Sequence, residues 1–439
     1  MAAFPHTSAP SQQHSTAQHL AFRLSLLGLA TGFVVIIEPA PTDLFFSLAF
    51  LVLILTGTRQ LFFAPVLTSA FALFFAFAGL NIVSLFFAQS VAYGIKYLVI
   101  TIYLLLVPPV MAHFSVLYGQ VAIDKMYFYF TIGATISAGI GLLAVTGLAP
   151  GPVTLYFRAE DGLRLSPLFK DPNVYGPYMA AAGFLLLSRC CTSSAKWRGS
   201  GFLLAGFILL MMFLTFSRGA WVNSAVVLGT FLLGLLIFGR SAQQIKWLFI
   251  LAACVTLTVL VAAPFILDKL GLNEFFSNRA QLQAYDSHRF ASWAEGMAMI
   301  PLEPLGIGPG HYVGRNRMAD SQFNLAAHNV YIKIIVENGW LGFATYFGAI
   351  STLLLLLFVS FFNGDDRLPI RVMLFAILIG QLANSVVVDS LHWRHFFIVL
   401  GFACAELALW QYQKVLSGGR LLSKQVFVKY HQEDTADMQ

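Results

Sequence analysis

Residues 66–88, VLTSAFALFFAFAGLNIVSLFFA, decide the fold: 23 consecutive positions carry no charged side chain. An α-helix crosses the hydrocarbon core of a bilayer in about 20 residues. A stretch this long and this apolar therefore predicts a membrane span. Working outward, the same criterion picks out 20–38, 43–57, 91–113, 126–149, 173–188, 201–216, 219–239, 247–267, 330–361, 368–388 and 394–413. The segments 173–188 and 201–216 are short. The segment 330–361 is expected to break at Glu337-Asn338-Gly339. The fold class that follows is an all-α integral membrane protein of about twelve transmembrane helices.

Composition agrees. Of 439 residues, 58% are apolar and 10% charged, with a mean hydropathy of +0.76 and 42 phenylalanines. A soluble domain carries about 25% charged residues, so lipid must solvate most of this chain. Residues 1–19 lack the Lys/Arg-bearing start of a signal peptide and read as a disordered cytoplasmic N-terminus; the first apolar run reads as an uncleaved helix. Cys190, Cys191, Cys254 and Cys404 form no CxxC pair and no Cys/His cluster, so neither a disulfide framework nor a zinc site is expected. The net charge of +6 records orientation and does not point to nucleic acid.

Orientation follows from Lys and Arg in short loops. With the N-terminus cytoplasmic, that side holds Arg59, Lys125, Arg189, Lys196, Arg198, Arg240, Lys246, Arg367 and Arg371, and the tail adds Lys414, Arg420, Lys424 and Lys429. The expected organisation is a helical block over 20–267, a large external loop region with short helices over 268–329, spans over 330–413 and a cytoplasmic tail over 414–439, disordered after Ser417. A second external segment covers about 150–172.

Five constellations fall on the external face. Arg164-Leu-Ser-Pro-Leu-Phe-Lys170-Asp171-Pro172-Asn173 runs into a helix start, whose free N–H groups suit an anion beside Arg164 and Lys170. Phe216-Ser217-Arg218-Gly219 joins two spans with almost no loop and fixes a guanidinium at the membrane boundary, where arginine needs a partner or snorkels. Ser287–Gly296 reads as a helix lying on the membrane, with Arg289 and Trp293 four apart on one face and suited to a cation–π contact. Gly306-Ile-Gly308-Pro-Gly310 lets backbone approach a ligand closely, without the strand and helix context of a dinucleotide site. His328-Asn329-Val330-Tyr331 opens a span with an imidazole suited to general-base work.

Each has a bland alternative: a basic loop, a snorkelling anchor, an amphipathic surface helix, a plain turn, a helix cap. Independent bystanders would scatter over both faces, and these do not. Asp389, near His392 and Arg394, closes the eleventh span on the same side. Asp365-Asp366 reads as a solvated turn, and Glu406, inside the last span, needs a partner that the sequence does not name. Arginines recognise phosphate bidentately. With no P-loop and little external ATP, the substrate should arrive already activated, as a lipid pyrophosphate does.

In their order and spacing these motifs, with Glu337-Asn338-Gly339-Trp340-Leu341-Gly342, resemble the bacterial O-antigen ligase and polymerase superfamily over roughly 164–345. One dominant external loop before the His-Asn motif is more similar to the ligases. The resemblance implies a GT-C-like architecture in a Gram-negative inner membrane, cytoplasmic termini and a periplasmic site. It implies inverting glycosyl transfer without metal or other cofactor, from undecaprenyl-pyrophosphate-linked glycan to the lipid A–core of lipopolysaccharide. Catalytic roles then fall to His328, Arg218 and Arg289, and substrate-binding roles to Arg164, Lys170, Asn173, Trp293, Gly308, Asn329, Tyr331 and Asp389. A polymerase or a protein-glycosylating ligase of the same superfamily remains as an alternative. Outside it, Lys96 and Glu406 keep open a transporter or lipid flippase, whose polar groups lie at the midplane.

Overall fold

The computed structural model describes residues 16–56, 65–158, 164–192, 195–239, 268, 281, 284–312 and 328–418. Among them are helices α1 (Thr16–Ala30), α2 (Pro41–Leu55), α3 (Thr68–Ser84), α4 (Val91–Leu105), α5 (Val107–Val145), α6 (Pro172–Thr192), α7 (Ala195–Phe213), α8 (Arg218–Phe238), α9 (Ala284–Met299), α10 (Val330–Phe361), α11 (Leu368–Asn384) and α12 (Arg394–Gly418). Strands β1 (Phe157–Arg158) and β2 (Arg164–Leu165) pair antiparallel. By length and apolar composition the segments Pro65–Phe87, Val91–Val145, Arg218–Phe238, Val330–Phe361 and Arg394–Lys414 suit a membrane, and α2, α11 and residues 198–213 are shorter apolar helices. The expected span 247–267 and the tail beyond 418 lie outside the described residues.

The bundle is organised around α12. In its apolar window 83% of the residues are buried, against 22% in α8, so α12 is central and α8 peripheral. α12 packs along α5, α10 along α3, α6 along α7 and α11 along α8. Phe86, Leu203 and Leu236 are exposed on the outside, as a lipid-facing surface requires.

Two stretches differ from the sequence reading and one agrees with it. α1 already begins at Thr16 and stops at Ala30. The connection expected over 114–125 is helical, because α5 runs through it and turns at Gly119, whose φ of 63° suits glycine. α10 has its expected limits and the expected break: Gly339 takes φ 69° inside it.

Charge collects at the two ends of the bundle. At one, Arg367 forks onto Glu406, Nε to Oε2 at 2.8 Å, and the Tyr127 hydroxyl donates to the same carboxylate. Beside them Arg189 pairs with Asp124 at 2.7 Å and Arg371 with Asp365 at 2.8 Å. Glu406 thus has a partner, and Asp365 belongs to an ion pair. The other end carries the motifs that the sequence reading assigns to the external face.

Candidate functional site

The tight connection between α7 and α8 is built from below. Phe216 is buried with φ 49°, a left-handed conformation unfavourable for a bulky residue. Ser217 caps α8, its Oγ accepting from the Ala220 N–H at 3.3 Å. That hydroxyl donates to Asn173 Oδ1 at 2.9 Å, and the same oxygen accepts from Arg164 Nη2 at 2.8 Å. Arg164 Nε donates to the Thr215 carbonyl at 3.1 Å. Arg164 is therefore turned inward, with only 2% exposure. Arg218 follows this turn and donates from Nη1 to the Gln281 carbonyl at 2.9 Å.

The glycine loop and the break in α10 exist for each other. Interrupting the helix at Gly339 frees carbonyls in the preceding turn. Val336 O accepts from Ile307 N–H at 2.9 Å and Glu337 O from Gly308 N–H at 3.0 Å. The Glu337 carboxylate accepts from the Tyr312 N–H at 3.2 Å. Gly306, Gly308 and Gly310 all have positive φ. A methyl group on Gly306 would meet the backbone of Glu337 and Asn338, and one on Gly308 would meet Ala88. The close approach these glycines permit is to the protein's own chain.

His328 has φ 42° and is half-buried. Asn329 caps α10, its Oδ1 accepting from the N–H groups of Tyr331 at 2.9 Å and Ile332 at 3.1 Å. The Val330 N–H donates to Ser385 O at 3.0 Å, and the Tyr331 hydroxyl to Leu382 O at 2.8 Å. One turn on, Lys333 Nζ donates to Asp389 Oδ2 at 2.6 Å and lies 5.8 Å from the Tyr97 ring centre. Burial alone would raise the Asp389 carboxyl, but the adjacent Lys333 ammonium holds it below the usual carboxylate range. Burial and Lys333 together push the His392 imidazole down to about 3, so it is neutral at pH 7; its Nε2 lies 3.0 Å from Thr101 Oγ1.

Arg289 and Trp293 stand on α9, where Phe290 packs edge-on against Trp293. The helix rests on α10: a methyl on Gly296 would collide with Ile332 and Tyr312. The Tyr312 hydroxyl lies within hydrogen-bond reach of the Ser292 carbonyl, at 2.5 Å.

The tertiary structure links several sequence candidates into one chain of contacts. Arg164 and Asn173 hold the turn before Arg218. Gly219, the next residue, leans on Asn384 and Val388. Ser385 accepts from the residue after Asn329, and Asp389 takes Lys333. Lys170 instead pairs with Glu38 at 3.0 Å, which also sits 3.5 Å from Arg394. Sequence reasoning missed Lys333, Asp43 and Glu38. Arg394 donates to both oxygens of Asp43 at 2.7–2.9 Å, 351 residues away, and no local pattern announces such a pair. The Lys333 signal was available: a lysine five residues after His328 in an apolar span demands a counter-charge.

Backbone strain marks the same region. Among the described residues, the non-glycine positions with positive φ are Leu168, Phe216 and His328. Each lies in a loop that carries a candidate motif, and such conformations, which cost about 1–3 kcal/mol, gather at functional sites. Among the described residues no three His, Cys, Asp or Glu side chains gather as metal ligands do.

A family model described as O-antigen ligase matches residues 203–347. None of the curated proteins compared matches the chain.

Proposed function

We propose, for a chain whose residues 203–347 match a family model described as O-antigen ligase, that it is an inverting, metal-independent glycosyltransferase of the O-antigen ligase and polymerase superfamily. It moves O-antigen from undecaprenyl pyrophosphate to the lipid A–core of lipopolysaccharide on the periplasmic side of the inner membrane. One observation carries the reading: Arg218, Arg289 and His328 all fall within the matched segment, and Gly219 next to Arg218 and Val330 two residues after His328 both meet the end of α11 and the turn that follows it.

His328 accepts the proton of the attacking acceptor hydroxyl. As that oxygen bonds to the anomeric carbon, the bond from the carbon to the diphosphate oxygen breaks on the opposite face. A single displacement of this kind inverts the anomeric centre. Charge accumulates on the departing diphosphate, and guanidinium groups from Arg218 and Arg289 stabilise it as it leaves. Base catalysis contributes roughly 10²–10⁴-fold. Trp293 supports Arg289, and Asn329 and Tyr331 fix the start of α10 so that His328 is held in place. The donor is already activated by its diphosphate, so no nucleotide is consumed.

The test is a transfer assay with the purified full-length protein, undecaprenyl-pyrophosphate-linked glycan and deep-core lipopolysaccharide, in chelator and without nucleotide. Glycan-capped lipopolysaccharide is the expected product. Elongation of the lipid-linked glycan itself would replace the ligase reading with a polymerase, and absence of any transfer would overturn both.

A further inference from the structure

We infer that Arg164 and Asn173 are positioning residues that act through Arg218, by holding the 215–217 turn in the one conformation that aims its guanidinium. The inference rests on the proposed role of Arg218.

Three observations carry it. First, both donors that converge on Asn173 Oδ1 come from the two sides of the turn's support: Arg164 Nη2 at 2.8 Å and Ser217 Oγ at 2.9 Å. Second, Arg164 reaches the turn directly through the Thr215 carbonyl at 3.1 Å, while the adjoining Leu165 N–H bonds Leu214 O at 3.3 Å. Third, the turn they brace is strained. Phe216 stands at φ 49°, and Thr215 and Ser217 on either side are buried. A bulky residue persists in the left-handed region only where its surroundings over-determine it.

The brace has a firm footing. Asn173 sits in the first turn of α6, its N–H bonded to Asp171 Oδ1 at 2.7 Å. Gly176, one turn further, gives α8 room, since a methyl there would lie 2.6 Å from Ala220 Cβ. The helix that begins at Arg218 is thus seated on the helix that begins at Pro172. A shift of this turn displaces Arg218 without touching any substrate. Misplacement of about 1 Å at a reacting centre lowers rates on the order of 10²-fold.

A double-mutant cycle in the transfer assay tests this, using Asn173→Ala, Arg218→Lys and the pair. Asn173→Ala is expected to lower kcat/KM for the donor by about 10²-fold, split between kcat and KM as in Arg218→Lys. In the Arg218→Lys background it should add little. Asn173→Asp keeps an acceptor for both donors and should recover to within about tenfold of wild type. Losses that multiply in the double variant, or an Asp variant as poor as the Ala variant, would overturn the inference. A readout without turnover separates it from the functional reading. In ¹⁵N-arginine-labelled protein the Arg218 Nε–H resonance, assigned by its loss in Arg218→Lys, should move in Asn173→Ala and hold in Asn173→Asp. An unmoved resonance sinks the positioning role; a wild type that transfers no glycan sinks the functional reading alone.

Discussion

Lys333 Nζ donates to Asp389 Oδ2 at 2.6 Å, and this ion pair fastens the first turn of α10 to the connection between α11 and α12. The pair lies one helical turn below the capped start that follows His328. Lys333 has only 8% side-chain exposure, and Asp389 27%. A buried charge left alone is far more damaging than the loss of a pair as a whole.

Lys333→Met should therefore lower stability by about 3–5 kcal/mol, towards the lower figure because Asp389 keeps some contact with water. The double variant Lys333→Met with Asp389→Asn should recover most of the loss. Melting temperatures of the purified protein in one detergent, arranged as a cycle, measure the coupling. Equal melting temperatures for Lys333→Met and wild type would mean that the pair does not fasten these helices.

His392 gives the fold a pH dependence. Its imidazole is pushed down to about 3 from an ordinary value near 6.5. Between those values the unfolded chain binds a proton that the folded chain refuses. Stability is therefore complete above about pH 6.5 and falls as pH drops below it, by at most about 1.4 kcal/mol per pH unit from this group. His392→Gln should flatten the melting profile between pH 6.5 and 4.5. An identical slope in wild type and variant would locate the dependence elsewhere.

Gly339→Ala should prevent docking of the glycine loop. Gly339 has φ 69° and ψ −179°, a region essentially reserved for glycine, and a Cβ would run into Pro304 O and the backbone of Leu305. The expected outcome is a clear drop in melting temperature with loss of transfer activity. Ala at Gly348, further along the same helix, would instead meet only Leu73 Cδ1 at an ordinary 3.5 Å and should be milder. Comparable damage from both would contradict this.

The proposed chemistry separates three side chains. His328→Ala should reduce kcat roughly 10²–10⁴-fold while donor binding persists. Arg218→Ala and Arg289→Ala should weaken binding of the lipid diphosphate as well. In cells, each should leave core lipopolysaccharide uncapped on a gel although the protein inserts normally in the membrane. A normal ladder from any one variant removes that residue from the mechanism.

The sequence determined what local chemistry controls. Unbroken apolar runs must become helices in lipid, because only internal hydrogen bonding satisfies their backbone. The limits of α10, its break at Gly339, the helix bearing Arg289 and the cap at Asn329 could all be read from neighbouring residues. The early end of α1 and the helical passage through 114–125 could not, since packing settled them. Only the tertiary structure decided who partners whom. Glu406 finds Arg367, Arg394 finds Asp43, and Lys333 finds Asp389. Only the tertiary structure turned Arg164 inward and set the glycine loop against the freed carbonyls of α10. A buried charge announces in the sequence that it needs a counter-charge; which one it meets depends on how helices far apart in the chain come to lie together.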